Sequence, residues 1–252
     1  MSASVESATK RLAVLSPDPI APMTANLFAD LDAQGLNLQA VFNVADLPAD
    51  LRGQLPQDAP GAYRQLLLIG HRGRLLWQQV QRAQLVGTDP IDSFTRTQVD
   101  AWLQRHQPGV RHVWVYPGAS VIDLQGLGQL AGWHHPSPFM VGIHPDWGSW
   151  FAYRAVVLAD TDLPATPPLQ SASPCAHCAS RACVAACPAD ALGGGFDLAA
   201  CVAYRLTPDS SCRERCLARN ACPVGEDQRY SDAQTAYHYR QSLAALKAWR
   251  PS

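Results

Sequence analysis

Apolar and polar positions along this 252-residue chain repeat with periods that change from stretch to stretch. Gln65 to Gly70 (QLLLIG) is a continuous apolar run closed by glycine, the profile of a buried strand. Arg74 to Ala83 then reads as helix. Asp89-Pro90 is a helix start, with Asp at the cap and Pro in the first turn. Ile91, Phe94, Val99, Trp102 and Leu103 follow at spacings that make one apolar face. His112 to Tyr116 (HVWVY) predicts a strand, and Val121 to Trp133 a glycine-interrupted helix. The turn residues Pro145 to Gly148 predict a hairpin joining Phe139–Ile143 to Trp150–Leu158.

Asp160 to Pro174 holds four prolines and two serines and reads as a linker. Ser231-Asp-Ala-Gln234 is a capping-box pattern opening a last helix, with Ala233, Ala236, Tyr237, Leu243, Leu246 and Trp249 on its inner side. Residues 1–60 give only scattered apolar pieces, among them Leu38 to Val44.

Composition narrows the function classes. The apolar fraction of 47% suits a chain with a real core, and no apolar run approaches the roughly 20 residues of a membrane span. LAVL, after one early basic pair, is too short for a signal-peptide core, so the expected compartment is the cytoplasm. With 20 basic and 21 acidic residues, neither a nucleic-acid footprint nor a membrane-surface patch is expected.

All eight cysteines fall within 175–222. Reduced thiols crowded in this way point to metal or redox chemistry rather than disulfides. Cys175, Cys178, Cys183 and Cys187 form C-x2-C-x4-C-x3-C-P, and Cys201, Cys212, Cys216 and Cys222 form C-x10-C-x3-C-x5-C-P. Two-cluster ferredoxins use C-x2-C-x2-C-x3-C-P, in which the fourth cysteine of each run serves the other cluster. By that analogy Cys175, Cys178, Cys183 and Cys222 hold one [4Fe-4S] cluster, and Cys201, Cys212, Cys216 and Cys187 hold a second. Both spacings depart from the ferredoxin pattern, the second throughout. Two four-cysteine zinc sites are the rival reading, although C-x2-C occurs here only once. His177, inside the first turn, reads as a spectator.

The block VGIHPDWGSWFAYRAVVLAD (141–160) is a glycine-and-aromatic turn leading into a strand, a geometry suited to lining a flat cofactor pocket, though spacing alone favours a packed hairpin with Trp147 and Trp150 in the core. It resembles the equivalent segment of the CblC-type cobalamin-processing proteins. QLLLIG (65–70), DPID (89–92) and QRYSDAQTAY (228–237) resemble that family in the same order. The cysteine region resembles the iron–sulfur module of epoxyqueuosine reductases, which are cobalamin-dependent and related to reductive dehalogenases.

The resemblance implies a nitroreductase-like α+β core over 1–171, a small two-cluster ferredoxin-like module over 172–228, and a C-terminal helix over 229–252 packing back on the core. It makes Gly142, His144, Gly148, Trp150 and Arg154 candidates for a cobalamin pocket. It associates Arg154, and with a gap Arg240, with glutathione. FMN is a second candidate cofactor, with no glycine-rich phosphate cradle to support it. Two departures stand out: Gly118 occupies the position of the reductases' catalytic acid, with Asp123 five residues away, and Gln129 occupies that of a CblC histidine, with His134 and His135 just beyond.

The expected function is single-electron transfer from two clusters to a bound corrinoid, fed by a ferredoxin, flavodoxin or reductase. The alternatives are a ferredoxin-like carrier without its own substrate and a structural zinc protein.

Overall fold

The computed structural model describes residues 26–56 and 61–248. Trp249 and the LAVL stretch lie outside the described residues. Four strands form one antiparallel sheet in the order β1-β2-β4-β3: β1 (Leu38–Asn43), β2 (Gln65–Arg72), β3 (His112–Tyr116) and β4 (Phe151–Ala159). β2 and β4 lie at the centre. Their residues are apolar on both sides because both faces of the sheet are covered.

The period of two sorts them. Val41, Leu67, Ile69, Ala155 and Val157 meet Leu31 of α1 (Ala29–Ala33), Leu76 and Val80 of α3 (Leu75–Ala83), and Phe94, Val99 and Trp102 of α4 (Pro90–His106). Ala40, Leu66, Leu68, Val156 and Leu158 meet Leu51 of α2 (Ala49–Arg52), Leu127 of α5 (Leu124–Leu130) and Trp133 on the other face. The apolar face read along α4 is buried at all five positions.

Two expected elements change. The helix at 121–133 shortens to α5, capped by Asp123, whose Oδ1 accepts the Gly126 N–H at 2.8 Å. The turn at Pro145–Gly148 forms, with His144 and Gly148 exchanging backbone hydrogen bonds of 2.8 and 2.9 Å. Its first arm is no strand, however. Phe139–Ile143 makes only an isolated bridge, His135 to Ile143, and turns away at Met140, whose φ is +61°. Phe139 and Ile143 pack against the cysteine region instead.

The segment 160–174 is irregular but tied down. Val41 N–H donates to Thr166 Oγ1 at 3.0 Å, Thr166 N–H to the Val41 carbonyl at 2.9 Å, and Leu169 N–H to that of Ala131 at 3.0 Å.

Beyond it the chain makes short helices, α6 (Ala182–Ala185), α7 (Leu198–Leu206) and α8 (Leu217–Ala221), around a small core of Phe139, Ile143, Leu192, Ala218, Cys183 and Cys222. The last helix, α9 (Asp232–Ala248), begins after Ser231, whose hydroxyl accepts the Gln234 N–H at 3.2 Å. Gln234, Thr235 and Leu243 are its buried residues, while Ala233 is exposed. No helix among the described residues is long and apolar enough to cross a membrane.

Candidate metal centre

The eight cysteines are free thiols and divide into two sets by position. Cys175, Cys178, Cys183 and Cys222 line one cavity of about 450 Å³. Cys187, Cys201, Cys212 and Cys216 line another of about 340 Å³. Phe139, Leu192 and Phe196 line both cavities and form the wall between them. Each set therefore takes three cysteines from one run and the closing cysteine of the other.

The thiol electrostatics follow the same division. Burial pushes the Cys175 thiol up, and the neighbouring Cys222, Cys183 and Cys178 push it further. Burial does the same to Cys201, with Cys216, Cys187 and Cys212 as its thiol neighbours. Cys183, Cys216 and Cys222 are also raised by burial. Cys178 alone is lowered, by the Ser180 hydroxyl 3.6 Å from its sulfur and by nearby backbone N–H groups. Ligation requires the thiolate, so a cation in each cavity would replace the protons that burial retains.

The sets differ in setting. Around the first, Ala176, His177, Ala179, Ser180 and Arg181 are exposed, which leaves His177 a surface residue. The second lies beneath α9, with His238, Tyr239 and Ser242 on its wall. Arg219, only 8% exposed, joins it to the sheet. Its N–H points at Cys216 Sγ at 3.4 Å, its Nε donates to Ser149 Oγ at 3.0 Å, and its guanidinium lies over Trp150 and Tyr230 at 4.4 and 5.1 Å.

The five pocket candidates lie along the turn between Gly142 and Trp150 and in β4. His144 is wholly buried, its ring stacked 3.6 Å from that of Trp147. Trp150 is 1% exposed beneath Arg219. A Cβ at Gly142 would lie 2.2 Å from the His134 ring, and one at Gly148 would lie 2.0 Å from the Val224 carbonyl oxygen. These four positions are filled by protein.

Arg154 is half-buried and stands at a bulge. Ile69 pairs with Ala155 and Gly70 with Tyr153, leaving Arg154 as the extra residue of β4. Its Nε donates to His71 Nδ1 at 2.9 Å. Arg240 is exposed and bound to Glu214 at 2.6 Å. His134 stands 3.1 Å from the Tyr153 hydroxyl and His135 3.0 Å from Ser171 Oγ.

A second polar group escapes sequence reading. His71 stacks on Tyr230 at 5.5 Å, and Tyr230 meets Trp150 at 5.4 Å and His238 at 5.7 Å. Burial next to Arg154 holds His71 well below the ordinary histidine range and His238 at about 3. Both imidazoles are neutral at physiological pH. The one sequence signal was His71 itself, a histidine directly after the apolar run and one residue before Arg72 closes β2.

No protein-family profile matches the chain, and no curated protein matches it by sequence. Solved structures do. Epoxyqueuosine reductase from Bacillus subtilis superposes with a TM-score of 0.52 at 13% identity, over 82% of this chain and 66% of that one. A catabolic reductive dehalogenase gives 0.50 at 14%, over 85% and 33%. A C. elegans B12-trafficking protein, CblC, gives 0.46 at 15%, over 88% and 95%. The chain thus spans just under two thirds of the reductase's length and about one third of the dehalogenase's. At these identities the likeness is one of fold: this chain has the α+β fold of the epoxyqueuosine reductases and of this dehalogenase.

Proposed function

We propose that this chain is an iron–sulfur redox protein whose two quartets each hold a [4Fe-4S] cluster, and that it passes single electrons to a corrinoid at the α+β core. The observation that carries this reading is the sorting of eight thiols into two four-thiol cavities with a shared apolar wall. That crossing is the pairing of two-cluster ferredoxins. Zinc also takes four thiolates, and two zinc ions are the rival occupants of the two cavities.

Bound clusters would supply one-electron transfer, with potentials set by hydrogen bonds to sulfur, nearby charge and burial. The chain's own residues provide these settings. Ser180 and the backbone N–H groups near it face Cys178, and the Arg219 N–H faces Cys216. Phe139, Leu192 and Phe196 keep water from the space between the cavities.

The corrinoid is the acceptor class that the resemblance implies. Gly142, His144, Gly148 and Trp150 do not fit it as ligands in this conformation, because protein fills the space they face. They shape the scaffold of the core. The same observation favours a second reading, a ferredoxin-like carrier that hands electrons to a partner. Either reading takes electrons from a donor protein of ferredoxin, flavodoxin or reductase type.

Iron, zinc and visible absorption measured on protein purified without oxygen test the cluster reading. About eight iron per chain is expected for two four-iron clusters; about two zinc without iron would overturn it. Titration of reduced protein with cobalamin then separates the two acceptors. A shift in the corrinoid spectrum supports the first, and an unchanged spectrum leaves the carrier.

A further inference from the structure

Arg205 and Arg215 line the second quartet's cavity and Arg219 adjoins it; Arg215 is exposed, whereas Arg219 is buried and Arg205 half-buried, each without a carboxylate. Arg219 spends its donors on Ser149 and on the rings of Trp150 and Tyr230. Arg205 donates from Nε to the Cys212 carbonyl at 3.2 Å, from Nη1 to Ser242 Oγ at 3.1 Å and from Nη2 to the Tyr239 carbonyl at 3.3 Å. Neither pairs with an acidic side chain among the described residues. An uncompensated guanidinium in a site as buried as that of Arg219 is costly unless an anion lies nearby. Both adjoin the quartet: the Arg219 backbone N–H points at Cys216 Sγ at 3.4 Å, and Arg205 lines the cavity beside Cys201 and Cys212.

The first quartet is different. Its neighbour Arg181 is exposed, and Arg229, which donates to the Cys222 carbonyl, is neutralised by Glu226 at 3.0 Å.

We propose that Arg219, assisted by Arg205, raises the potential of the second quartet's cluster above that of the first and so directs electrons from the first quartet, whose 176–181 loop is exposed, to the second, beneath α9. This inference rests on the cluster reading above. Four thiolates make a cluster anionic, and reduction adds one more negative charge. Burial alone disfavours that added charge, whereas an adjacent unpaired cation favours it. The electron enters from a low-potential donor protein at the first quartet, reduces the first cluster by one, and reoxidises it on passing to the second. Arg219 is a positioning residue here: it acts through the cluster and touches no substrate.

The test is an anaerobic redox titration of the holoprotein followed by electron paramagnetic resonance. Cys178→Ser identifies the first cluster's signal by perturbing it. In the wild type the second cluster is expected to reduce first. Arg219→Gln should lower that cluster's midpoint by at least a tenfold change in its reduction equilibrium, ~59 mV for one electron. Arg219→Lys, which keeps the charge, should stay within that limit, and the first cluster should not move in either.

A purely structural Arg219 would leave the midpoints of loaded protein alone. If Arg219→Gln fails to load iron, Arg205→Gln carries the test, with a drop confined to the same cluster. A reversed order in the wild type, or charge-removing variants that leave the second midpoint in place, would overturn the inference while leaving the clusters intact. Wild-type protein without iron would instead show that the cluster reading had failed.

Discussion

His144 is wholly buried against Trp147, and burial holds its imidazole down at about 4, despite Asp146 4.0 Å from its Nδ1. Its Nδ1 accepts the Asp146 N–H at 3.0 Å, which requires the neutral ring. Above pH 6.5 both folded and unfolded chains carry this histidine uncharged, and it contributes no pH dependence. Between 6.5 and about 4 the unfolded chain binds a proton that the folded chain refuses, so stability falls as pH falls. The full loss from this one residue is about 3 kcal/mol, of which ~2 kcal/mol has accrued by pH 5. Urea midpoints at pH 7.5 and 5 should therefore separate less in His144→Asn than in the wild type. The Asn carbonyl can still accept the Asp146 N–H but does not titrate. An equal separation would mean that the ring is not held neutral. His71 and His238, also depressed by burial, add to the wild-type loss without affecting the difference.

At the scale of elements, the turn 144–148 and the chain at 224–225 meet backbone to backbone. Gly148 has φ +58° and Gly225 φ +66°; a Cβ on Gly225 would lie 2.2 Å from the Trp147 carbonyl carbon. Gly148→Ala forces a side chain into the left-handed region and into the Val224 carbonyl, so a loss of ~2–4 kcal/mol is expected. Gly194→Ala meets nothing within 4 Å and should stay within ~0.5 kcal/mol. Comparable thermal midpoints for the two variants would show that the seam gives way freely. Legibility in the sequence followed the same physics. β2 was readable as a continuous apolar run because both faces of the sheet are covered there, and α4 because its buried positions repeat with the helical period. Phe139–Ile143 was misread as a strand because its apolar residues serve the cysteine region, not a sheet ladder, and periodicity cannot tell the two apart. The proline-rich segment 160–174 reads as a loose linker, yet its Thr166 and Leu169 are fastened to β1 and Ala131 by contacts that local composition does not encode. Arg219 carried one signal, its place midway between Cys216 and Cys222, but its unpaired charge becomes visible only once Ser149 and Trp150 are folded against it.

For the molecule as a whole, the crossing of the two cysteine runs decides what each thiol supports, and it yields a result that sequence order alone would not. Cys187 closes the first run yet lines the cavity of the second quartet; Cys222 closes the second run yet lines that of the first. Replacing either with serine removes a soft thiolate from a four-thiol set and leaves the other set whole. Cys222→Ser should therefore weaken the same cluster as Cys178→Ser, and Cys187→Ser the same cluster as Cys201→Ser, each variant retaining about four iron. Paramagnetic resonance of the four reduced variants reads the pairing directly, since the two members of each predicted pair should keep the same surviving signal. An uncrossed arrangement would instead pair Cys187→Ser with Cys178→Ser. Because Phe139, Leu192 and Phe196 wall both cavities, loss of one cluster can also loosen the other. The comparison for that reason rests on which signal survives in each variant, with the iron count as its check.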